Sequence, residues 1–181
     1  DVCSSDLPYR LPRHVVPHRY ELRLEPDLTR AVFSGVETIA LTVTQATSAI
    51  ILNAVDLVIS SATLTESAGN RLEATIELDH ATQRCRLTFP RLVPVGESQL
   101  TLVFQGTLND HLRGFYRSTY KDLAGETRTM AATQFEATDA RRAFPCWDEP
   151  DFKAVFATTL VIDPGVTAVS NTSVVSDSIE A

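Results

Sequence analysis

The sequence is organised around residues 130–153, which read MAATQFEATDARRAFPCWDEPDFK. Elsewhere the chain alternates apolar and polar residues, as half-buried β-strands do. This segment instead places Gln134 and Glu136 on either side of Phe135, and it continues into a run compatible with a short helix, residues 138–143. A strand that ends in polar side chains and turns into a helix commonly presents groups to a ligand. We therefore expect a functional site here.

Outside this segment the sequence predicts many short strands separated by turns. Residues 72–78 and 85–89 alternate around a turn at 79–83 and predict a hairpin. Gly35, inside the strand predicted over 33–44, indicates a bulge or a close backbone approach. A further strand is expected to begin at Val169. The predicted fold class is all-β, a β-sandwich or a curved antiparallel or mixed sheet, with one short helix near 138–143.

Length, net charge and hydrophobicity exclude some classes of function. A chain of 181 residues is long enough for one domain with a real core. Its net charge of −7 argues against binding to nucleic acid, because neutralising phosphates requires an excess of Lys and Arg. No apolar run approaches the roughly 18 residues of a membrane span, so no membrane segment is predicted in this chain.

The cysteines favour a reducing compartment. Cys3, Cys85 and Cys146 are odd in number and irregularly spaced, which indicates neither a disulfide framework nor a zinc knuckle. Buried reduced thiols are therefore expected. Since the N-terminus also lacks the pattern of a signal peptide, the predicted location is cytoplasmic.

A family resemblance extends these inferences. Residues 133–150, TQFEATDARRAFPCWDEP, resemble the corresponding signature of the zinc aminopeptidases of the aminopeptidase N type, above all their puromycin-sensitive branch. Residues 114–118, GFYRS, are similar to a second signature of that family, and the resemblance runs from Leu11 to about Val175. It implies the saddle-like N-terminal β domain of an enzyme that removes N-terminal residues from peptides.

The resemblance also suggests domain boundaries. Residues 1–7 look like the translation of a sequencing adapter, so we expect a non-native leader there. Residues 8–181 would then be the aminopeptidase N-like N-terminal β domain, truncated before the catalytic domain. The partners implied are that missing catalytic domain and peptide substrates with a free N-terminus.

Zinc is the cofactor that the resemblance implies for the parent enzyme. The family holds zinc with an H-E-x-x-H helix and a downstream Glu. The four histidines of this chain, His14, His18, His80 and His111, form no such motif, and G-x-M-E-N is also missing. We therefore expect no metal ligand and no catalytic residue in this chain, which should be inactive on its own.

Glu136 and Gln134 are the candidate substrate-binding residues. In an extended segment their side chains share one face, while Phe135 points to the core. The resemblance assigns Glu136 to the α-ammonium group of the substrate and Gln134 to the first side-chain pocket. It also implies a cis peptide bond between Glu136 and Ala137. From the residues alone, a surface acid near a helix start is the better interpretation of Glu136, and only the resemblance reverses that preference.

The remaining charged and aromatic residues of the segment have structural interpretations. Ion pairs and caps around the two prolines are expected of Asp139, Arg141, Arg142, Asp148 and Glu149. Cys146 has the apolar neighbours of a buried small hydrophobe rather than of a nucleophile. The nearby aromatic side chains are predicted to lie in the core, namely Phe144, Trp147 and Phe152.

Two other functions remain open. A free-standing β-sandwich binding module would have the same strand pattern. A bifunctional relative that also opens a lipid epoxide is the second alternative, but the resemblance implies Gln in such proteins at the position of Glu136.

Overall fold

The computed structural model of the protein describes residues 10–179, so the expected leader at 1–7 lies outside the described residues. The described chain forms strands and one short 3-10 helix. Their bounds are β1 (Val15–Asp27), β2 (Val32–Val43), β3 (Thr47–Asn53), β4 (Leu57–Glu66), β5 (Arg71–Glu73), β6 (Thr75–Asp79), β7 (Arg84–Val93), β8 (Gly96–Thr107), β9 (Gly114–Lys121), β10 (Thr127–Gln134), the 3-10 helix (Ala140–Arg142) and β11 (Val155–Leu160).

Three sheets make up this part of the chain. A six-stranded sheet has the order β11-β1-β2-β8-β4-β5, a three-stranded sheet the order β3-β7-β6, and β9 and β10 form a separate pair. All strand pairs are antiparallel except β1 with β11, which is parallel. The prediction of an all-β fold with antiparallel or mixed sheets is confirmed, and the described sheets are open.

The six-stranded and three-stranded sheets contribute side chains to one hydrophobic core. Alternate residues of each strand point into this core. On β2 the fully buried residues are Ile39, Leu41 and Val43, and the residues between them are less buried. Gly35 is required by a close approach, because a Cβ there would lie 2.3 Å from the ring of Phe104. The pairing of β2 with β8 is continuous at this point, so the close approach is confirmed and there is no bulge.

The second sheet contains the predicted hairpin. Strands β6 and β7 pair in register from Thr75 with Thr88 to Asp79 with Arg84, around a turn capped by the side chain of Asp79. The alternating run that begins at Leu72 is divided, because β5 pairs with β4 in the large sheet and β6 pairs with β7.

Two expectations about local structure need correction. The strand expected to begin at Val169 is absent: residues 163–179 are exposed and contain no strand. A strand needs a partner for its backbone groups, and none of residues 163–179 pairs with a described strand. The helix expected near 138–143 is a single 3-10 turn, Ala140–Arg142. In residues 10–179 no helix is long and apolar enough to cross a membrane.

Candidate substrate-binding site

The candidate site begins where β10 ends. Gln134 is the last residue of that strand and lies opposite Gly114, the first residue of β9. Gly114 has a φ of 63°, and a Cβ there would lie 2.5 Å from Cβ of Arg142. Both the backbone conformation and the space therefore require glycine. This contact packs the root of the hairpin against the 3-10 helix.

Gln134 and Glu136 are both exposed, and the residue between them is not. Phe135 is half-buried and packs edge-to-face on Phe144, with ring centroids 5.9 Å apart. The prediction that Phe135 turns to the core is confirmed. Nε2 of Gln134 donates to the backbone carbonyl of Glu136 at 3.5 Å, so the two candidate residues are adjacent in space.

The carboxylate of Glu136 has no hydrogen bond or ion pair with any residue between 10 and 179. Most other acids near it are paired, as described below. The peptide bond between Glu136 and Ala137 is cis, as the family resemblance implies. The site therefore presents one unpaired carboxylate to solvent beside an amide side chain.

Residues just after the site are attached to the core through the backbone. Cys146 and Asn53 exchange two backbone hydrogen bonds, at 2.7 and 3.0 Å. The backbone amide of Asp148 donates to the side chain of Asn53 at 3.2 Å, and that of Trp147 to the hydroxyl of Tyr20 at 3.3 Å. These bonds hold the segment against β3 and β1.

Ion pairs add to this attachment. Nε of Arg141 lies 2.8 Å from Oδ2 of Asp148, and both side chains are nearly buried. Arg142 pairs with Asp139 at 2.8 Å and also contacts Asp56. The expectation that this cluster is structural is confirmed, although no local pattern indicated that Asp56 takes part.

A second group of charges connects the segment to the start of the described chain. Glu149 accepts from the backbone of Leu11 at 2.5 Å and pairs with Arg10 at 3.0 Å. Asp151 pairs with Arg10 at 2.8 Å and also contacts Arg13. Hydrogen bonding from Arg13 holds the pKa of Asp151 below its ordinary value. Because its partners lie more than 130 residues away in sequence, spacing alone did not reveal this group.

The two described thiols, Cys85 and Cys146, are inert as expected, and Cys3 lies outside the described residues. Burial raises the pKa of Cys85 to about 12, with a smaller contribution from Glu37. Burial and then the charge of Asp148 raise the pKa of Cys146 well above its usual range. Since a thiolate is the reactive form, neither residue is a nucleophile at neutral pH. Both are free of disulfide bonds, and Phe144 and Trp147 are buried beside Cys146.

Sequence reasoning missed a buried acid that has no partner among the described residues. Glu37 on β2 is fully buried between Leu22 and Leu102 on the flanking strands. Neither of its carboxyl oxygens has a partner among the described residues, and burial raises its pKa well above the usual range. The raised pKa favours the protonated form of Glu37. The signal was available, because Glu37 is two residues before Ile39 on the apolar face of its strand.

Residues 10–179 do not fit a zinc ion. No three His, Cys, Asp or Glu side chains in that range are grouped so that they could hold a metal. A structural or catalytic zinc site needs three or four such ligands. No chemical step through zinc is therefore assigned to these residues.

The fold and site define an all-β domain that presents a carboxylate and an amide at the root of a hairpin. The sequence profile of the Peptidase M1 N-terminal domain family matches residues 16–181. The chain belongs to this family, the N-terminal domain of aminopeptidases.

Named relatives agree with this assignment. The chain is 46% identical over 170 residues to "Aminopeptidase M1-D" of Oryza sativa subsp. japonica, with 94% of the chain covered. It is 40% identical over 169 residues to "Puromycin-sensitive aminopeptidase" of Caenorhabditis elegans, with 93% covered. It is 42% identical over 166 residues to "Endoplasmic reticulum aminopeptidase 1" of Homo sapiens, with 90% covered. The chain spans only 18–19% of the length of these relatives.

Proposed function

We propose that this chain is the N-terminal domain of a zinc-dependent aminopeptidase, which is called the parent enzyme below. In the parent, Glu136 binds the α-ammonium group of a peptide and Gln134 forms part of the first side-chain pocket. Residues 8–181 would be the domain, and the zinc would belong to the catalytic domain that follows. The enzyme would act in the cytoplasm, in keeping with the buried free thiols Cys85 and Cys146.

The observation that carries this proposal is the unpaired carboxylate of Glu136 on a firmly attached segment. A free α-ammonium is the defining feature of an aminopeptidase substrate, and a carboxylate complements it. At about 4 Å such a pair contributes on the order of 4 kcal/mol at an effective dielectric of 20, before desolvation is subtracted. The glutamate also distinguishes the chain from the epoxide-opening alternative, for which the resemblance implies Gln.

The test is steady-state kinetics on the parent enzyme. Glu136→Ala should lower kcat/KM by about 2–3 kcal/mol, roughly 30- to 150-fold, because the ammonium loses its counter-charge. Part of the loss should fall in kcat, since the bound amine also positions the scissile carbonyl. Glu136→Gln keeps the shape without the charge and should lose an intermediate amount.

Glu25→Ala is the matched control, because it removes an exposed glutamate from β1, outside the site. Its kcat/KM should equal that of the natural enzyme. Near-natural turnover of Glu136→Ala would make Glu136 an ordinary surface acid. The 181-residue chain alone should bind no stoichiometric zinc and release no amino acid from aminoacyl-anilides, which metal analysis and the same assay would check.

A free-standing binding module is the other candidate function. It predicts that Glu136→Ala weakens the binding of an N-terminal peptide to the isolated chain, and that no catalytic domain is encoded downstream.

A further inference from the structure

Phe135 separates the two exposed residues of the candidate site and is held at two points. Its ring packs edge-to-face on Phe144, with centroids 5.9 Å apart and an angle of 81° between the ring planes. Its backbone carbonyl accepts a hydrogen bond from the N–H of Asp139 at 2.9 Å. The residues between Phe135 and Asp139 are all exposed. Phe135 is therefore the inward-facing residue nearest to Glu136.

Phe144 is a fixed support for this contact. It is 5% exposed, and its ring also packs edge-to-face on those of Tyr20 and Phe156, with centroids 6.2 and 6.0 Å away. Tyr20 and Phe156 lie opposite each other on the paired strands β1 and β11, and their rings stack at 4.6 Å. Edge-to-face and stacked arrangements are the favourable geometries of aromatic pairs. The ring of Phe135 thus packs on an aromatic cluster that belongs to the six-stranded sheet.

The contacts of Glu136 itself do not fix the direction of its side chain. Its carboxylate has no hydrogen bond or ion pair with any residue between 10 and 179. The amide of Gln134 reaches only the backbone carbonyl of Glu136, at 3.5 Å. A carboxylate that binds an ammonium group productively must nonetheless be held in a narrow range of positions. Because neighbouring residues share one planar peptide unit, the place at which Phe135 is held constrains the backbone from which the Glu136 side chain extends.

We propose that Phe135 is a positioning residue for Glu136: its edge-to-face contact with Phe144 fixes the direction from which the Glu136 carboxylate meets the substrate ammonium. This inference rests on the proposed function, since the carboxylate needs positioning only if it binds the substrate. Phe135 acts through the backbone that it shares with Glu136. Loss of the aromatic contact should therefore weaken recognition of the amine and leave recognition of the rest of the substrate unchanged.

The test measures inhibition constants of the parent enzyme for an amino-acid-derived competitive inhibitor and for its analogue that lacks the α-amine. Phe135→Leu keeps an apolar side chain but removes the ring, and Phe135→Tyr restores the ring. Phe152→Leu is the matched control, because Phe152 is also half-buried and packs near a buried aromatic residue of the same segment, Trp147, with centroids 6.5 Å apart. Thermal unfolding of each variant measures its effect on the fold.

Positioning predicts that Phe135→Leu binds the amine-bearing inhibitor about fivefold or more weakly than the natural enzyme does, and the analogue within about twofold. Phe135→Tyr should recover most of the lost affinity. Phe152→Leu should weaken neither inhibitor selectively, even where its unfolding temperature falls as far as that of Phe135→Leu. Equal weakening of both inhibitors by Phe135→Leu, or of neither, would show that Phe135 supports only the fold and would overturn the inference.

The inference and the proposed function fail in different ways. If Glu136→Gln loses the preference for the amine while Phe135→Leu keeps it, the anchor stands and this inference is wrong. If Glu136→Gln keeps that preference, the proposed function is wrong, and this inference with it. In the Glu136→Gln background, Phe135→Leu should cause no further selective loss, because no charge remains to be positioned. A further selective loss of the same size would also overturn the inference.

Discussion

The two halves of residues 134–149 are built in opposite ways. In the second half, residues 143–147 are buried. The backbone N–H of Cys146 donates a hydrogen bond to the carbonyl of Asn53, and its carbonyl accepts one from the N–H of Asn53. In the first half, Gln134 and Glu136 are exposed, and the Glu136 carboxylate has no partner among residues 10–179. The two halves meet at Phe135, which packs on Phe144.

This difference assigns stability to one half of the segment and ligand recognition to the other. A carboxylate that binds a ligand must not be satisfied within its own domain, yet it must be held in one position. Here the buried half provides the position and the exposed half provides the free charge. Substitutions in the buried half should therefore act on the free energy of unfolding, and those in the exposed half on kinetics.

The largest effect on stability is expected for Trp147→Ala. The indole is 4% exposed and packs near Phe152, so its removal leaves a large cavity. The free energy of unfolding should fall by about 3–5 kcal/mol, measured by urea denaturation of the 181-residue chain. Trp147→Phe should lose less because it leaves a smaller cavity. A loss below about 1 kcal/mol for Trp147→Ala would show that the buried half does not support the fold.

A smaller loss is expected for Arg141→Ala. Its guanidinium pairs with Asp148 at 2.8 Å, and it donates to Gln83 at 3.2 Å. Removing one partner leaves a nearly buried carboxylate without its charge-assisted hydrogen bond, which costs about 2–3 kcal/mol. Arg141→Lys keeps the positive charge but loses the planar guanidinium. Its free energy of unfolding should therefore lie between those of the natural chain and Arg141→Ala. If Arg141→Ala unfolded like the natural chain, the ion pair would contribute nothing to holding the segment.

Glu37→Gln should change how stability depends on pH. Because burial raises the pKa of Glu37 in the folded state, the unfolded chain releases this proton at lower pH than the folded one. The contribution of Glu37 to stability is therefore greatest below the pKa it has in the unfolded chain. It is lost as the pH rises toward the pKa it has in the folded chain. Glutamine is neutral throughout, so the variant should lose less stability as the pH rises above 4.5, the ordinary pKa of a glutamic acid.

Urea denaturation at several pH values checks this prediction, with Glu25→Gln as the exposed control. Identical pH slopes for Glu37→Gln and the natural chain would mean that Glu37 is ionised in the folded state.

The smallest effect on stability is expected for Glu136→Ala. Its side chain is exposed and has no partner among residues 10–179, so the free energy of unfolding should change by no more than about 0.5 kcal/mol. A substantial loss in the same urea assay would show that Glu136 supports the fold and would remove the contrast between the two halves.

Local patterns predicted the strands well because alternation is a property of neighbouring residues. They also predicted the close approach at Gly35 and the inward direction of Phe135. The partners of the buried half were not predictable in this way: Asp56 is 86 residues from Arg142, and Leu11 is 138 residues from Glu149. The expected strand at Val169 failed because an alternating run is insufficient without a neighbouring strand.

For the candidate site, local patterns predicted less than they did for the strands. The resemblance pointed to Gln134 and Glu136, and alternation correctly predicted that the residue between them is the buried one. Glu37 was overlooked, although period two puts it on the apolar face of β2. Which side chains share a face of the β9–β10 hairpin followed only from the register of the two strands, in which Ser118 lies opposite Met130.

The central claim is that Glu136 binds the substrate ammonium through its charge, and a double-substitution cycle tests it most directly. Inhibition constants would be measured for the natural parent enzyme and for Glu136→Gln, with an amino-acid-derived competitive inhibitor and with its analogue that lacks the α-amine. The account predicts that the amine-bearing inhibitor binds Glu136→Gln at least tenfold more weakly, while the analogue binds both enzymes equally. Equal losses for the two inhibitors would contradict the claim.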